Sequence, residues 1–149
     1  MKMVDVGAKA RTRRVAVAEG TLRLRPETLA RIVAGRIEKG DVLAAARLAG
    51  VMAVKRTPDL VPLCHPIAIT AAAVDLQPDP GGDALHVTAR VETRDRTGVE
   101  MEALTAVTAA LLTVYDMCKA IDPGMWFESV GLAEKSGGKS GRWKRPARR

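Results

Sequence analysis

Apolar and polar residues alternate across residues 15–24, around Gly20. That two-residue period predicts a strand or hairpin. Residues 4–14, before it, read as a polar, irregular arm. Pro26 then opens a short helix over 27–34, in a first-turn position where its missing N–H costs nothing. Lys39-Gly40-Asp41 breaks the chain, and Asp41 can cap a helix over 42–55. That helix is apolar almost all round, which predicts burial. Pro58 and Pro62 impose an extended loop through Cys64-His65-Pro66. A strand over 67–76, a turn from Pro78 to Asp83 and a strand over 85–93 make a hairpin. Gly98 precedes a long helix over 100–119. A last strand over 125–133 leads into a glycine-rich loop over 136–141.

The order is therefore strand, two helices, hairpin, long helix, strand. An antiparallel sheet with helices packed on one face fits this order, as in ferredoxin-like α+β folds. The long helix carries two stripes. Met101, Leu104, Val107 or Thr108, Leu111, Val114 and Cys118 make an apolar one, which reads as core. Glu102, Thr105, Ala109, Thr113, Asp116 and Lys119 make the other, small in its middle and charged at its ends. A solvent face ordinarily carries long polar residues, so this stripe predicts close contact with another surface. Glu102 and Asp116 lie about 21 Å apart at about 1.5 Å of rise per residue. One small pocket in one subunit cannot hold both. Two such helices packed antiparallel about a two-fold axis would bring them together.

The length of 149 residues suits one domain over the whole chain, 1–149, with a basic tail from about 139. Aromatics are 3%, so alanine, valine and leucine must do the packing, and small side chains let backbones approach closely. No apolar run approaches the roughly 20 residues of a membrane span, and residues 1–5 lack the apolar stretch of a signal peptide. The expectation is a cytoplasmic protein with no membrane partner. Cys64 and Cys118 form no C-x-x-C pair, and with two histidines no zinc-ligand spacing appears. A structural disulfide is not expected in a reducing compartment. The net charge of +7 raises nucleic acid as a partner, but Lys139, Arg142, Lys144, Arg145, Arg148 and Arg149 supply six of those charges with no acid among them. The excess sits at one end, as a solvated tail or a phosphate-binding segment.

Lys39 precedes a helix N-terminus, where a cation is disfavoured, which suggests an anion close by. Lys55 ends the same predicted helix, where the dipole favours a cation. Asp116 and Lys119, three residues apart, read as a surface ion pair or as a carboxylate that tunes a lysine acid or base. His65 stands between prolines that pre-orient its loop. Lys135-Ser136-Gly137-Gly138-Lys139-Ser140-Gly141 looks like a phosphate cradle or a tail hinge, but it is no P-loop. That pattern needs glycine where Ala133 stands.

Taken together, seven segments resemble the MoaC family, the cyclic pyranopterin monophosphate synthases of molybdenum cofactor biosynthesis. They are Met3-Val4-Asp5-Val6, Lys39-Gly40-Asp41-Val42, Ala53-Val54-Lys55-Arg56-Thr57, Leu60-Val61-Pro62-Leu63-Cys64-His65-Pro66, Gly98-Val99-Glu100-Met101-Glu102-Ala103-Leu104-Thr105, Tyr115-Asp116-Met117-Cys118-Lys119-Ala120 and the glycine-rich segment at 135–141. They span nearly the whole chain in the family's order. Gly7 stands where the family commonly has serine, and residues 121–134 match loosely.

The resemblance implies a ferredoxin-like subunit in a homohexamer, a trimer of dimers, with active sites at dimer interfaces. It implies a pyrophosphate-releasing lyase acting on 3′,8-cyclo-7,8-dihydro-GTP, with no cofactor, no metal and no nucleic acid. It assigns Asp116, Lys119 and Lys39 to catalysis, the two lysines as acid and base in an order left open. It assigns Leu63, Cys64, His65, Met101 and Glu102 to substrate binding, with Glu100, Lys55 and Lys135 lining the site. The residues alone reach a phosphate-handling enzyme. The rival reading is a small basic RNA-binding module, which would stack bases on aromatics; only Trp143 lies in the basic segment. A scaffold without catalysis would not need paired lysines and acids at these positions.

Overall fold

A computed structural model describes residues 1–146. The elements are β1 (Thr12–Arg23), α1 (Pro26–Val33), α2 (Val42–Leu60), β2 (Ile69–Pro78), β3 (Ala84–Asp95), α3 (Glu100–Cys118), β4 (Trp126–Ser136) and β5 (Trp143–Lys144). The sheet runs β2-β3-β1-β4-β5, with antiparallel neighbours throughout. This is the expected ferredoxin-like α+β arrangement with one added edge strand. β1 pairs with β3 without a break from Thr12–Asp95 to Arg23–Ala84. Its pairing with β4 shifts register twice, once at Ala133 and once beside Ser129, which takes a positive φ of 56°.

The period of two decides which face of the sheet is dry. On β3, Leu85, Val87, Ala89 and Val91 are buried while His86, Thr88 and Arg90 are exposed. On β1, Ala16, Ala18 and Leu22 are buried in the core with α3. A Cβ on Gly20 would meet Val107 Cγ1 at 2.9 Å and Leu111 Cδ1 at 3.0 Å. Small residues on the central strand therefore let α3 lie low on the sheet. Gly50 does the same between helices: a Cβ there would meet Val74 at 2.9 Å and the Ala106 carbonyl at 3.1 Å.

Several boundaries differ from the sequence pattern. The polar arm ends at residue 11, because pairing with β3 carries β1 out to Thr12. α2 does not stop at Lys55 but runs to Leu60 with Pro58 inside its end. Buried Val54 and Thr57 hold that last turn against the core, and Thr57 Oγ1 donates to the Ala53 carbonyl at 3.0 Å. Lys55 consequently sits inside the helix, so the dipole argument for it fails. Nor is α2 buried all round: Leu48, Met52 and Leu60 are exposed. On α3 the core face is smaller than the apolar stripe suggested. Ala103, Ala106, Val107, Ala110, Leu111, Val114 and Cys118 are buried, whereas Met101 is exposed and Leu104 only half-buried. By length and composition α3 passes for a membrane span, although one side of it packs into the core against the sheet.

The last strand starts and ends later than expected, and β5 was not foreseen. Part of the basic segment folds back: Arg145 N–H donates to the Ala133 carbonyl at 2.8 Å, and its guanidinium pairs with Glu19. Arg142 reaches Glu134 at 3.4 Å. These contacts tie part of the segment to the sheet, although Lys139, Arg142 and Lys144 stay exposed to solvent; the tail beyond 146 lies outside the described residues.

Candidate active site

Lys-Gly-Asp has a local reason for each residue. Gly40 takes φ +107°, which an L side chain rarely adopts, and its N–H closes a turn on the Ile37 carbonyl at 3.0 Å. Asp41 Oδ1 accepts from the Ala44 N–H at 3.0 Å and caps α2. The turn aims Lys39 at the far end of α3. There its Nζ lies 2.7 Å from Asp116 Oδ2 and donates to the Asp116 carbonyl at 3.1 Å. Lys119, at the C-cap, donates to Asp116 Oδ1 at 2.7 Å. The anion foreseen near Lys39 is thus the Asp116 carboxylate, and the helix C-terminus adds its own negative end. The hydrogen bonds from Lys119 and then Lys39 hold the Asp116 carboxyl at about 2. The same contact raises the Lys119 amine, so it holds its proton more tightly. All three side chains are about half exposed.

The other end of α3 is different. Glu102, in the first turn, is 2% exposed. Its Oε1 accepts from the Cys64 thiol at 3.7 Å, and its Oε2 has no partner. Burial raises its pKa above the ordinary glutamate value. Burial, with Glu102 beside it, pushes the Cys64 thiol up to about 11, so Cys64 stands as a neutral donor rather than a nucleophile. Next to this pair, Lys135 Nζ on β4 donates to Glu100 Oε1 at 2.9 Å. Both cysteines are free.

Within one chain the predicted residues therefore fall into two groups at opposite ends of α3. Lys39, Asp116 and Lys119 meet at one end. Cys64 with Glu102 and Glu100 with Lys135 meet at the other. Leu63 and Met101 are exposed apolar side chains, and His65 is half-buried with no ring hydrogen bond among the described residues. Lys55 is exposed and has no ion pair there. No three histidine, cysteine or acidic side chains among the described residues cluster closely enough to hold a metal ion.

The glycine-rich loop answers first to packing. Gly137 (φ +101°) and Gly138 (φ +70°) lie against the backbone of Arg13 and the guanidinium of Arg14, where a Cβ has no room. Arg14 in turn donates to the carbonyls of Asp95 and Arg96, both at 3.1 Å. Sequence reasoning passed over Arg14, since an arginine near the start of a strand carries no periodic signal.

Residues 3–138 match a family model described as "MoaC family". The chain is similar to the cyclic pyranopterin monophosphate synthase of Rhodospirillum rubrum, at 59% identity over 141 residues, covering 95% of this chain and 85% of that protein. It is also similar to the cyclic pyranopterin monophosphate synthase of Thermomicrobium roseum, at 58% identity over 144 residues, covering 97% of this chain and 87% of that one.

Proposed function

The chain belongs to the MoaC family, and from that premise we propose that it converts 3′,8-cyclo-7,8-dihydro-GTP to cyclic pyranopterin monophosphate with release of pyrophosphate, in molybdenum cofactor biosynthesis. The observation that carries the reading on the structural side is the clamp of Lys39 and Lys119 on Asp116. Closing a cyclic monophosphate on a triphosphate sets the demands. An oxygen of the sugar-derived part attacks the α-phosphorus and loses its proton to a base. The bond from that phosphorus to its bridging oxygen breaks, and pyrophosphate leaves with the electron pair. Cations must meet the growing charge, and a proton carrier must serve both this step and the ring rearrangement. Two lysine amines on one carboxylate supply both. Asp116 fixes their positions and holds Lys119 protonated, so Lys119 gives up its proton more readily once substrate draws it from the carboxylate.

The substrate's guanine-derived edge presents N–H donors. Glu100 and Glu102 are the acceptors for it, with Met101 and the Leu63, Cys64 and His65 segment around them. Since these lie at the far end of α3, the complete site forms between subunits of a dimer, the unit of a homohexamer. Asp116 of one protomer then faces the partner subunit's Glu102. Two features support such a contact. Thr105 and Thr113 donate their hydroxyls to carbonyls of their own helix at 2.7 Å, so the stripe can present methyl groups. Exposed Leu48, Met52 and Leu112 on α2 and α3 offer apolar surface to cover. Free cysteines accord with a cytoplasmic lyase. Nothing favours the RNA-binding alternative, whose basic segment is partly paired with Glu19 and Glu134.

The test is incubation with 3′,8-cyclo-7,8-dihydro-GTP while pyrophosphate is measured. The wild-type chain should release it. Lys39→Ala and Asp116→Ala should lose turnover by about 10²–10⁴-fold while keeping their circular dichroism spectra. No release by wild type, or full release by Lys39→Ala, overturns the reading.

A further inference from the structure

We propose that Asp122 is a positioning residue for the reaction proposed above: with Arg25 it fixes where Lys39 meets Asp116. The proposal rests on that activity. Glu102 and Asp122 are the buried carboxyls among the described residues. Glu102 stands at the recognition end of α3, and Asp122 stands just past the other end, in the link to β4. Asp122 is 3% exposed. Its Oδ2 accepts from the Arg25 N–H at 2.9 Å, and its Oδ1 lies 3.4 Å from the Arg25 guanidinium. That guanidinium also donates to the Ile121 carbonyl. Backbone and side chain of Arg25 are thus both held by adjacent residues of the link.

Arg25 is the N-cap of α1, and its own side chain caps nothing. The Asp122 carboxylate therefore brings its charge to the positive end of that helix. From Arg25 the chain runs through α1, whose Leu29 and Ile32 are buried, and past buried Ile37 to Lys39, which returns to α3 at Asp116. From Asp116 onward the turns are hydrogen-bonded. The Lys119 N–H donates to the Tyr115 carbonyl at 2.8 Å, and the N–H groups of Ile121 and Asp122 both donate to the Cys118 carbonyl at 3.0 Å. The Arg25–Asp122 and Lys39–Asp116 pairs thus close a ring: they fasten both ends of one segment to the end of α3.

The two fastenings differ in strength of definition. Lys39 and Asp116 are both about half exposed, and an exposed pair with a long lysine stem is loosely placed by itself. A carboxylate taken out of water is costly unless its partners stand in one good geometry. The buried pair therefore specifies a position where the exposed pair cannot. Play of about 1 Å in the segment would misplace the Lys39 amine and cost rate, with every group of the clamp still present.

The experiment compares wild type, Asp122→Ala, Asp122→Asn and Arg25→Ala, each checked for folding by circular dichroism. It measures turnover of 3′,8-cyclo-7,8-dihydro-GTP and the titration of the Asp116 carboxyl by carbon NMR. Asp122→Ala should lower kcat by about tenfold or more, with KM changed by less than about threefold. Asp122→Asn keeps an oxygen for the Arg25 N–H and should recover part of that loss. Arg25→Ala leaves the backbone bond in place and should show a smaller loss. In Asp122→Ala the Asp116 carboxyl should titrate above the value of about 2 that both lysines give it, because Lys39 loosens while Lys119 stays on the same helix. A role in folding alone would move neither kcat nor this titration. Wild-type values of both in folded Asp122→Ala would overturn the proposal and leave the activity standing. Should that variant not fold, wild-type values of both in Arg25→Ala would overturn it instead. Absence of wild-type turnover would overturn the activity, and the titration would still decide whether Asp122 places Lys39.

Discussion

At the N-terminal end of α3, Glu102 is shut away from water with one oxygen unpaired; at the C-terminal end, Asp116 stands half exposed between two ammonium groups. One helix thus carries two carboxyls whose proton affinities are pushed in opposite directions. Burial raises Glu102, whereas hydrogen bonds from Lys119 and Lys39 hold Asp116 at about 2. The first end suits recognition, because a dry acceptor with a spare lone pair is poised for a ligand N–H. The second suits chemistry, because charge is abundant there and water reaches it. The sequence spacing that keeps these ends about 21 Å apart also prevents one subunit from using both on one small molecule.

The comparison breaks most visibly if the two ends serve one site in a dimer. Asp116→Ala and Glu102→Ala, each inactive alone, should recover activity when mixed under conditions that exchange subunits. Roughly a quarter of the wild-type rate is expected if pairing is random and each mixed dimer keeps one intact site. Pyrophosphate release measures it, and no recovery would place both ends in one subunit's site or in separate roles.

A smaller effect sharpens the contrast in burial. Glu102→Leu should abolish turnover yet stabilise the fold at pH 8 by about 1–2 kcal/mol, since it removes a buried, half-satisfied carboxyl. The sign follows from its raised pKa. The folded state binds the proton more tightly than the unfolded state, so wild-type stability falls as pH rises past the ordinary glutamate value. The advantage of Glu102→Leu should therefore shrink toward pH 4, which thermal melts at the two pH values would show. Asp116 has the reverse sign. Its lowered pKa gives a contribution present above the ordinary aspartate range and lost only as pH falls toward about 2. A larger advantage of Glu102→Leu at pH 4 than at pH 8 would contradict the assignment.

The smallest effect concerns α2, which packs against the helix that joins the ends. Gly50→Ala inserts a methyl against Val74 and the Ala106 carbonyl. The steric cost should exceed the gain in helix propensity and leave a net loss of about 1 kcal/mol. Denaturant melts would detect it, and a stabilised variant would mean that α2 and α3 have slack between them.

Much of the fold is legible locally. The alternation on β1 and β3, Pro26 at the start of α1 and Asp41 capping α2 are short-range signals, and each appears where the pattern puts it. Pro58 shows the limit, since a proline that reads as a helix breaker is kept inside α2 by the buried neighbours Val54 and Thr57. Met101 and Leu104 show it again. Their spacing reads as core, but the close seat of α3 on Gly20 and Gly50 leaves room at the centre for alanine and valine instead. In the site, the Asp116 and Lys119 pair is a matter of helix spacing and was readable. Lys39 on the same carboxylate joins residues 77 positions apart, and no local pattern carries it.

By itself, the sequence determined the order of elements as far as β4, the alternation of β1 and β3, the cap of α2 and the identity of the charged groups, because periods and caps act over a few residues. Only the tertiary structure decided which carboxyl loses its water and which lysine reaches which acid. Desolvation and ion pairing depend on what lies within a few ångströms in space, and distant segments of the chain supply those neighbours.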